Sequence, residues 1–176
     1  GTYDVADVVV AVIDTGSPSK GSRAWKSSTW IDGEYDFVSS DFDATDPSAT
    51  MDYPSNGSHG THVATTIAAK NDGKNINGFG LKVLPLRVLD ENGSGWSSDI
   101  CNAIAYAGQI SNSTGEISPR KANVINMSLG GGSSCSCQSV VDDVYNAGVA
   151  DDDANDPNRK EQEPSSDGSC NRGTAK

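Results

Sequence analysis

Residues 8–13 read Val-Val-Val-Ala-Val-Ile and stop at Asp14-Thr15-Gly16. No other feature restricts the fold as much. A continuous apolar run this short fits a strand covered on both faces, as in a parallel sheet between helical layers. The Asp-Thr-Gly that closes it is turn chemistry. An aspartate at the carboxyl end of such a strand also stands where open α/β sheets place their sites. Taken alone, the tripeptide is more often an ordinary turn.

Two more runs, Val83–Val88 and Asn123–Met127, read as strands of the same kind. Pro85 conflicts mildly with the first, since proline cannot donate to a ladder. Helical segments lie between and after them. One opens near Ser58, with Asn56 or Ser58 as cap and His59, Val63 and Ile67 along one face, and ends around Lys70–Gly73. A second opens at Ser97-Ser98-Asp99 with Ile100, Ala103, Ile104 and Ala107 inward. A third spans Gln138–Ala147 with Val140, Val141, Val144 and Tyr145 inward. Residues 17–57 form a long polar loop region, with one short strand expected near Tyr35–Val38. Strand and helix alternate three times, which predicts an α/β fold with a doubly wound parallel sheet.

The pattern then breaks. Val149-Ala150 begins a fourth apolar segment, but Asp151-Asp152-Asp153 follows at once, and residues 151–176 contain no Val, Ile, Leu, Met, Phe, Tyr or Trp. Such a stretch cannot bury enough apolar area to offset its ordering entropy. The expected organisation is one partial domain over residues 1–150 and a polar, disordered tail over residues 151–176.

A length of 176 residues suits one domain, and the net charge of −11 argues against nucleic-acid binding, which needs a basic face. No apolar run is long enough to span a membrane. Gly1–Asp7 lacks the basic and apolar regions of a signal peptide, so the sequence reads as though an upstream segment has been removed. Four cysteines, at 101, 135, 137 and 170, allow three full pairings, and the sequence does not choose among them. Their spacing is a poor zinc pattern. Disulfides in a secreted protein are the favoured reading.

Two further segments carry chemistry. In Asn56-Gly-Ser-His59-Gly60-Thr61-His62-Val63-Ala64 a histidine stands in the first turn of a helix, where the positive helix end favours the neutral ring a general base needs. The adjacent Gly60 lets another chain approach closely. A lone helical histidine is usually structural, and His62 is expected to be one, facing partly into the core. In Val124-Ile-Asn-Met-Ser128-Leu129-Gly130-Gly131 a strand opens into a segment that can pair with an extended peptide. By itself that is as readily an ordinary strand end.

Together with Asp14-Thr15-Gly16, these segments resemble the subtilase family in type and order, over about residues 5–150. The resemblance implies a three-layer α/β/α fold with a parallel sheet, truncated, and serine endopeptidase chemistry. It maps Asp14 to the triad aspartate and His59 to the triad base. It maps Ser128, Leu129 and Gly130 to one wall of the substrate groove, and Gly93-Ser94-Gly95, followed by Trp96, to a loop bordering a distal subsite. It further implies a peptide or protein substrate, an extracellular location, a monomer, and no cofactor for the chemistry. A structural calcium is possible at Asn71–Gly78, where the metal is unknown and a polar hairpin is the simpler reading. The Cys135 neighbourhood is similar to secreted bacterial members. Ser169-Cys170 resembles a later loop of theirs, which would pair Cys170 with Cys135 or Cys137.

Three family pieces are missing from the sequence. No apolar strand ends in Ala-Gly-Asn; Asn155, in Ala154-Asn155-Asp156, lacks the glycine. No Gly-Thr-Ser-Met-Ala presents a nucleophile; the nearest text, Gly173-Thr174-Ala175-Lys176, has no serine. The rest of the sheet is absent as well. Two readings follow: a fragment of an active protease, or an inactive short product that at most binds peptides or an inhibitor. A three-strand half-sheet would also expose an apolar edge and be poorly soluble.

Overall fold

The computed structural model describes residues 7–24, 29–47, 58–70, 72–73, 77–131, 137–152 and 172–175. A parallel sheet forms the centre. Its strands are β1 (Val9–Asp14), β2 (Tyr35–Asp36), β3 (Lys82–Arg87), β5 (Val124–Asn126) and β7 (Ala150–Asp152), in the order β2-β3-β1-β5-β7. Every pairing in it is parallel. A small antiparallel sheet holds β4 (Ser94–Trp96), β6 (Leu129–Gly130) and β8 (Arg172–Ala175), with β8 in the middle. The helices are α1 (His59–Ala68), α2 (Ser97–Ala107) and α3 (Gln138–Asn146).

All six residues of β1 are buried, and their parity assigns them to two cores. Val9, Ala11 and Ile13 pack with Ile100, Ala103 and Ile104 of α2 and Val144 of α3. Val10 and Val12 pack with Ala64 and Ala68 of α1 and with Val83 and Trp30. The sheet is therefore covered on both faces, which is why its central strand is apolar without alternation. The same two-residue period puts Asp14 on the α1 face.

Pro85 sits in β3 opposite Val12 without conflict. The carbonyls of Val83 and Arg87 accept from Ile31 and Phe37 on the β2 side. Pro85 shares their parity, so its missing N–H faces the stretch between Ile31 and Tyr35, where no ladder pairing forms.

Several expectations are corrected. Among the described residues the central sheet has five strands, not three. Within the stretch beyond residue 150, the described residues are those of β7 and β8, which are paired as strands; the rest lies outside the described residues. His62 is exposed, because α1 buries Gly60, Ala64, Thr65 and Ala68, and a residue two positions from Gly60 points nearly the opposite way. Tyr145 is also exposed; α3 buries Val144, with Val140 and Val141 partly covered. Cys137, the N-cap of α3, is joined to Cys101 of α2, so it is not the partner of Cys170. Cys135, Cys170 and Asn155 lie outside the described residues.

Candidate active site

The turn after β1 and the start of α1 meet at the carboxyl end of the sheet. Both carboxylate oxygens of Asp14 lie 2.9 Å from Nδ1 of His59. Asp14 is fully buried, whereas the His59 side chain is 25% exposed. An ionised carboxylate only accepts, so Nδ1 carries the hydrogen and Nε2, on the far edge of the ring, is left as the acceptor. The Thr15 amide donates to Asp14 Oδ1 at 2.7 Å and fixes the carboxylate plane. Burial pushes the Asp14 carboxyl above its ordinary value; the bonds from His59 and Thr15 partly offset this, and the nearby Asp46 adds to it.

The main chain brings the two groups together. A methyl on Gly60 would fall 2.2 Å from the Gly16 carbonyl oxygen and 3.0 Å from Asp14 Cβ. Only a hydrogen fits between the first turn of α1 and the Asp14-Thr15-Gly16 turn. Gly16 has φ of +117°, and a Cβ added there would lie 2.7 Å from the Ala44 carbonyl oxygen and 2.8 Å from the Asp46 backbone. Ser58 holds the N-cap position of α1 but makes no side-chain cap bond, and Asn56, the other cap expected, lies outside the described residues. The amides of Gly60 and Thr61 are satisfied from elsewhere. Thr15 Oγ1 accepts from the Gly60 amide at 2.9 Å, and Asp46 Oδ2 accepts from the Thr61 amide and hydroxyl at 3.3 and 3.0 Å. The Thr15 hydroxyl donates to the same Asp46 oxygen at 3.0 Å. Asp46 is buried and is held beside Gly16 by the backbone bonds Ser17 N–H to Ala44 O and Asp46 N–H to Ser17 O. A carboxylate at a helix N-terminus is also favoured by the helix dipole.

Thr15, Thr61 and Asp46 were not among the candidate residues. Thr15 and Thr61 belong to the two motifs that were. Asp46 sits in a polar loop whose composition gives no signal.

The buried charge of Asp14 has a testable cost. Its folded carboxyl binds a proton more tightly than the unfolded chain does. Stability therefore falls as pH rises from the ordinary carboxylate value through the raised one. Asp14→Asn removes that charge and should melt at a higher temperature than the parent at pH 8, with the gap narrowing toward pH 3. Thermal melts across this range check it. A parent more stable than the variant at pH 8 would contradict it.

The other candidate residues frame a second feature. Gly93 and the β4 residues Ser94 and Gly95 follow a turn in which Asp90 accepts from the amides of Asn92 and Ser94. A methyl on Gly95 would lie 2.0 Å from the Val88 carbonyl oxygen, so β4 crosses close over the end of β3. Ser128 bonds Asn126 at the end of β5 and leads into Leu129 and Gly130 of β6. β4 and β6 flank one strand's width, occupied by β8. The candidate calcium loop lies partly outside the described residues. Its end returns to α1, with Gly78 and Phe79 amides donating to Ala69 and Ile67 carbonyls.

With this geometry in place, comparison with known proteins is decisive. The family model described as Subtilase family matches residues 6–160. The chain belongs to the subtilase family. Subtilisin amylosacchariticus of Bacillus subtilis subsp. amylosacchariticus is 38% identical over 150 residues, which is 84% of this chain and 33% of that protein. An extracellular protease of Xanthomonas campestris pv. campestris is 41% identical over 152 residues, covering 73% of this chain and 25% of its own length. A solved protease structure from Pseudoalteromonas arctica superposes with a TM-score of 0.67 at 33% identity, over 84% of this chain and 49% of that one. The subtilase chain thus spans a quarter to a third of these two curated relatives, and its fold is the subtilisin-like α/β fold. No described helix is long and apolar enough to cross a membrane.

Proposed function

We propose that this chain is the amino-terminal part of a secreted serine endopeptidase domain, with Asp14 and His59 as two members of its triad. The 2.9 Å contact between the Asp14 carboxylate and His59 Nδ1 carries this reading. Asp14 orients the ring, fixes its tautomer and stabilises the imidazolium that forms when Nε2 takes a proton from the nucleophile. An extended peptide substrate lies between Gly93–Gly95 and Ser128–Gly130, paired through backbone groups on both sides. No cofactor enters this chemistry. The working molecule is a monomer that acts on peptides or proteins rather than nucleic acids, outside the cell and free of membranes; a calcium in the loop at Asn71–Gly78 would be structural.

The hydroxyl that would lose the proton has no motif in this sequence, nor does the oxyanion-binding asparagine. Losing one such oxyanion donor costs about 10²–10³ in turnover, and without a nucleophile no acyl-enzyme forms at all. This chain alone should give no casein hydrolysis above background, and a serine-directed inhibitor should change nothing. Inhibitor-sensitive turnover would refute that. Reading the coding DNA downstream separates a fragment from a short binding product: a Gly-Thr-Ser-Met-Ala run supports the fragment.

A further inference from the structure

β4 and β6 are joined to each other only through β8. β8 is antiparallel to both, with Ser94, Gly95 and Trp96 opposite Thr174, Gly173 and Arg172, and Leu129 and Gly130 opposite Ala175 and Thr174. Adjacent strands lie about 4.7–4.9 Å apart. β4 and β6 therefore stand roughly 9.5 Å apart as two parallel walls with room for a single strand between them. Without that strand, both would present unpaired backbone donors and acceptors across the gap.

We propose that the chain's own Arg172–Ala175 segment is the resident occupant of this groove and competes in cis with extended peptides for it. The inference rests on the groove reading given under Proposed function. The direction of β8 agrees with it. β5 pairs with β1 in parallel, Asn126 opposite Val12, so Ser128 is level with the sheet end that bears Asp14. β8 runs antiparallel to β6, so its Ala175 end reaches Leu129, beside Ser128. The occupant thus points its carboxyl end toward the Asp14–His59 end of the sheet. Nothing in Arg-Gly-Thr-Ala provides an apolar anchor. The binding is main-chain pairing, which any extended peptide of similar length can supply. What favours Arg172–Ala175 is its covalent attachment to the same chain. Linkage of this kind gives an effective concentration of about millimolar, and an external peptide sees only the fraction of grooves left open. An occupant whose untethered Kd is about 0.1 mM would raise an external peptide's apparent Kd about ten-fold.

The test uses the full chain and two variants, Gly173→Pro and Thr174→Pro. Successive strand residues direct their N–H groups to opposite neighbours, so the two prolines remove pairing to different walls. Two quantities are measured: hydrogen exchange of the β4 and β6 amides, and the Kd of fluorescein-labelled acetyl-Arg-Gly-Thr-Ala-Lys. Far-UV circular dichroism and protected amides in α1 and α2 confirm that each variant is folded. The expected result is protection of β4 and β6 amides in the parent, its loss in both variants, and peptide binding at least ten-fold tighter to the variants. Equal exchange in parent and variants overturns the inference, whether or not the peptide binds. Protection lost without any peptide binding leaves the tail as occupant and removes the peptide-groove reading instead. Equal peptide affinity for all three proteins with unchanged exchange does the reverse.

Discussion

Asp36→Ala should lower the unfolding free energy by about 3–5 kcal/mol, the usual consequence of stranding one partner of a buried ion pair. Asp36 Oδ2 accepts from Arg87 Nη1 at 2.7 Å, and both residues are buried. Asp36 Oδ1 also accepts from the amides of Val38 and Ser39, so the substitution leaves three donors without their acceptor. Arg87 stands opposite Asp14 in the β1–β3 register, which makes this pair part of the floor under the site. Arg87→Met should cost less, because the Asp36 carboxylate keeps its two amide donors. Urea unfolding of the three proteins gives the order. A loss within about 1 kcal/mol for Asp36→Ala would mean that Arg87 reaches water or another acceptor when its partner is removed.

Cys101→Ser should be nearly as costly. The Cys101–Cys137 bridge closes a loop of sequence separation 36. Chain-entropy reasoning places its contribution between those of a 15-residue and a 100-residue loop, at about 4 kcal/mol. That loop contains β5 and β6, and the bridge ties α2 to the N-cap of α3, so it also fixes the path that carries one wall of the groove. Against a typical domain stability of about 5–15 kcal/mol, losing it should bring the midpoint of urea unfolding far down. A variant that unfolds at the parent's urea concentration would show that the bridge constrains little in the unfolded chain.

What could be read from the sequence follows from how each element is held. β1 and α2 were legible because side-chain burial holds them: the first by a run covered on two faces, the second by Ile100, Ala103, Ile104 and Ala107, all buried. Asp14 and His59 were legible because each sits in a motif at an element's end. β7 and β8 were not, because neither contains an apolar run. Among the described residues β7 is an edge strand, where acidic residues are tolerated and even protective, and β8 is defined by main-chain pairing, which leaves no pattern of residue types. The exposure of His62 was missed for a related reason. Val63 and Ile67, on the stripe their spacing with His59 suggests, do pack against the core, but the helix is set by the close approach of Gly60 to Gly16, and a glycine contributes nothing to hydrophobic periodicity.

That contact between Gly60 and Gly16 has a consequence for heating. Histidine and aspartate rotamers loosen as temperature climbs, and a dyad aligned only by such torsions would drift long before the protein melts. Here the spacing between the two anchors is a main-chain dimension, set by the close approach of Gly60 to the Gly16 carbonyl oxygen. The two anchors should therefore keep their spacing up to the melting transition, so a ring that swings away on heating can return to the carboxylate until the helix parts from the strand.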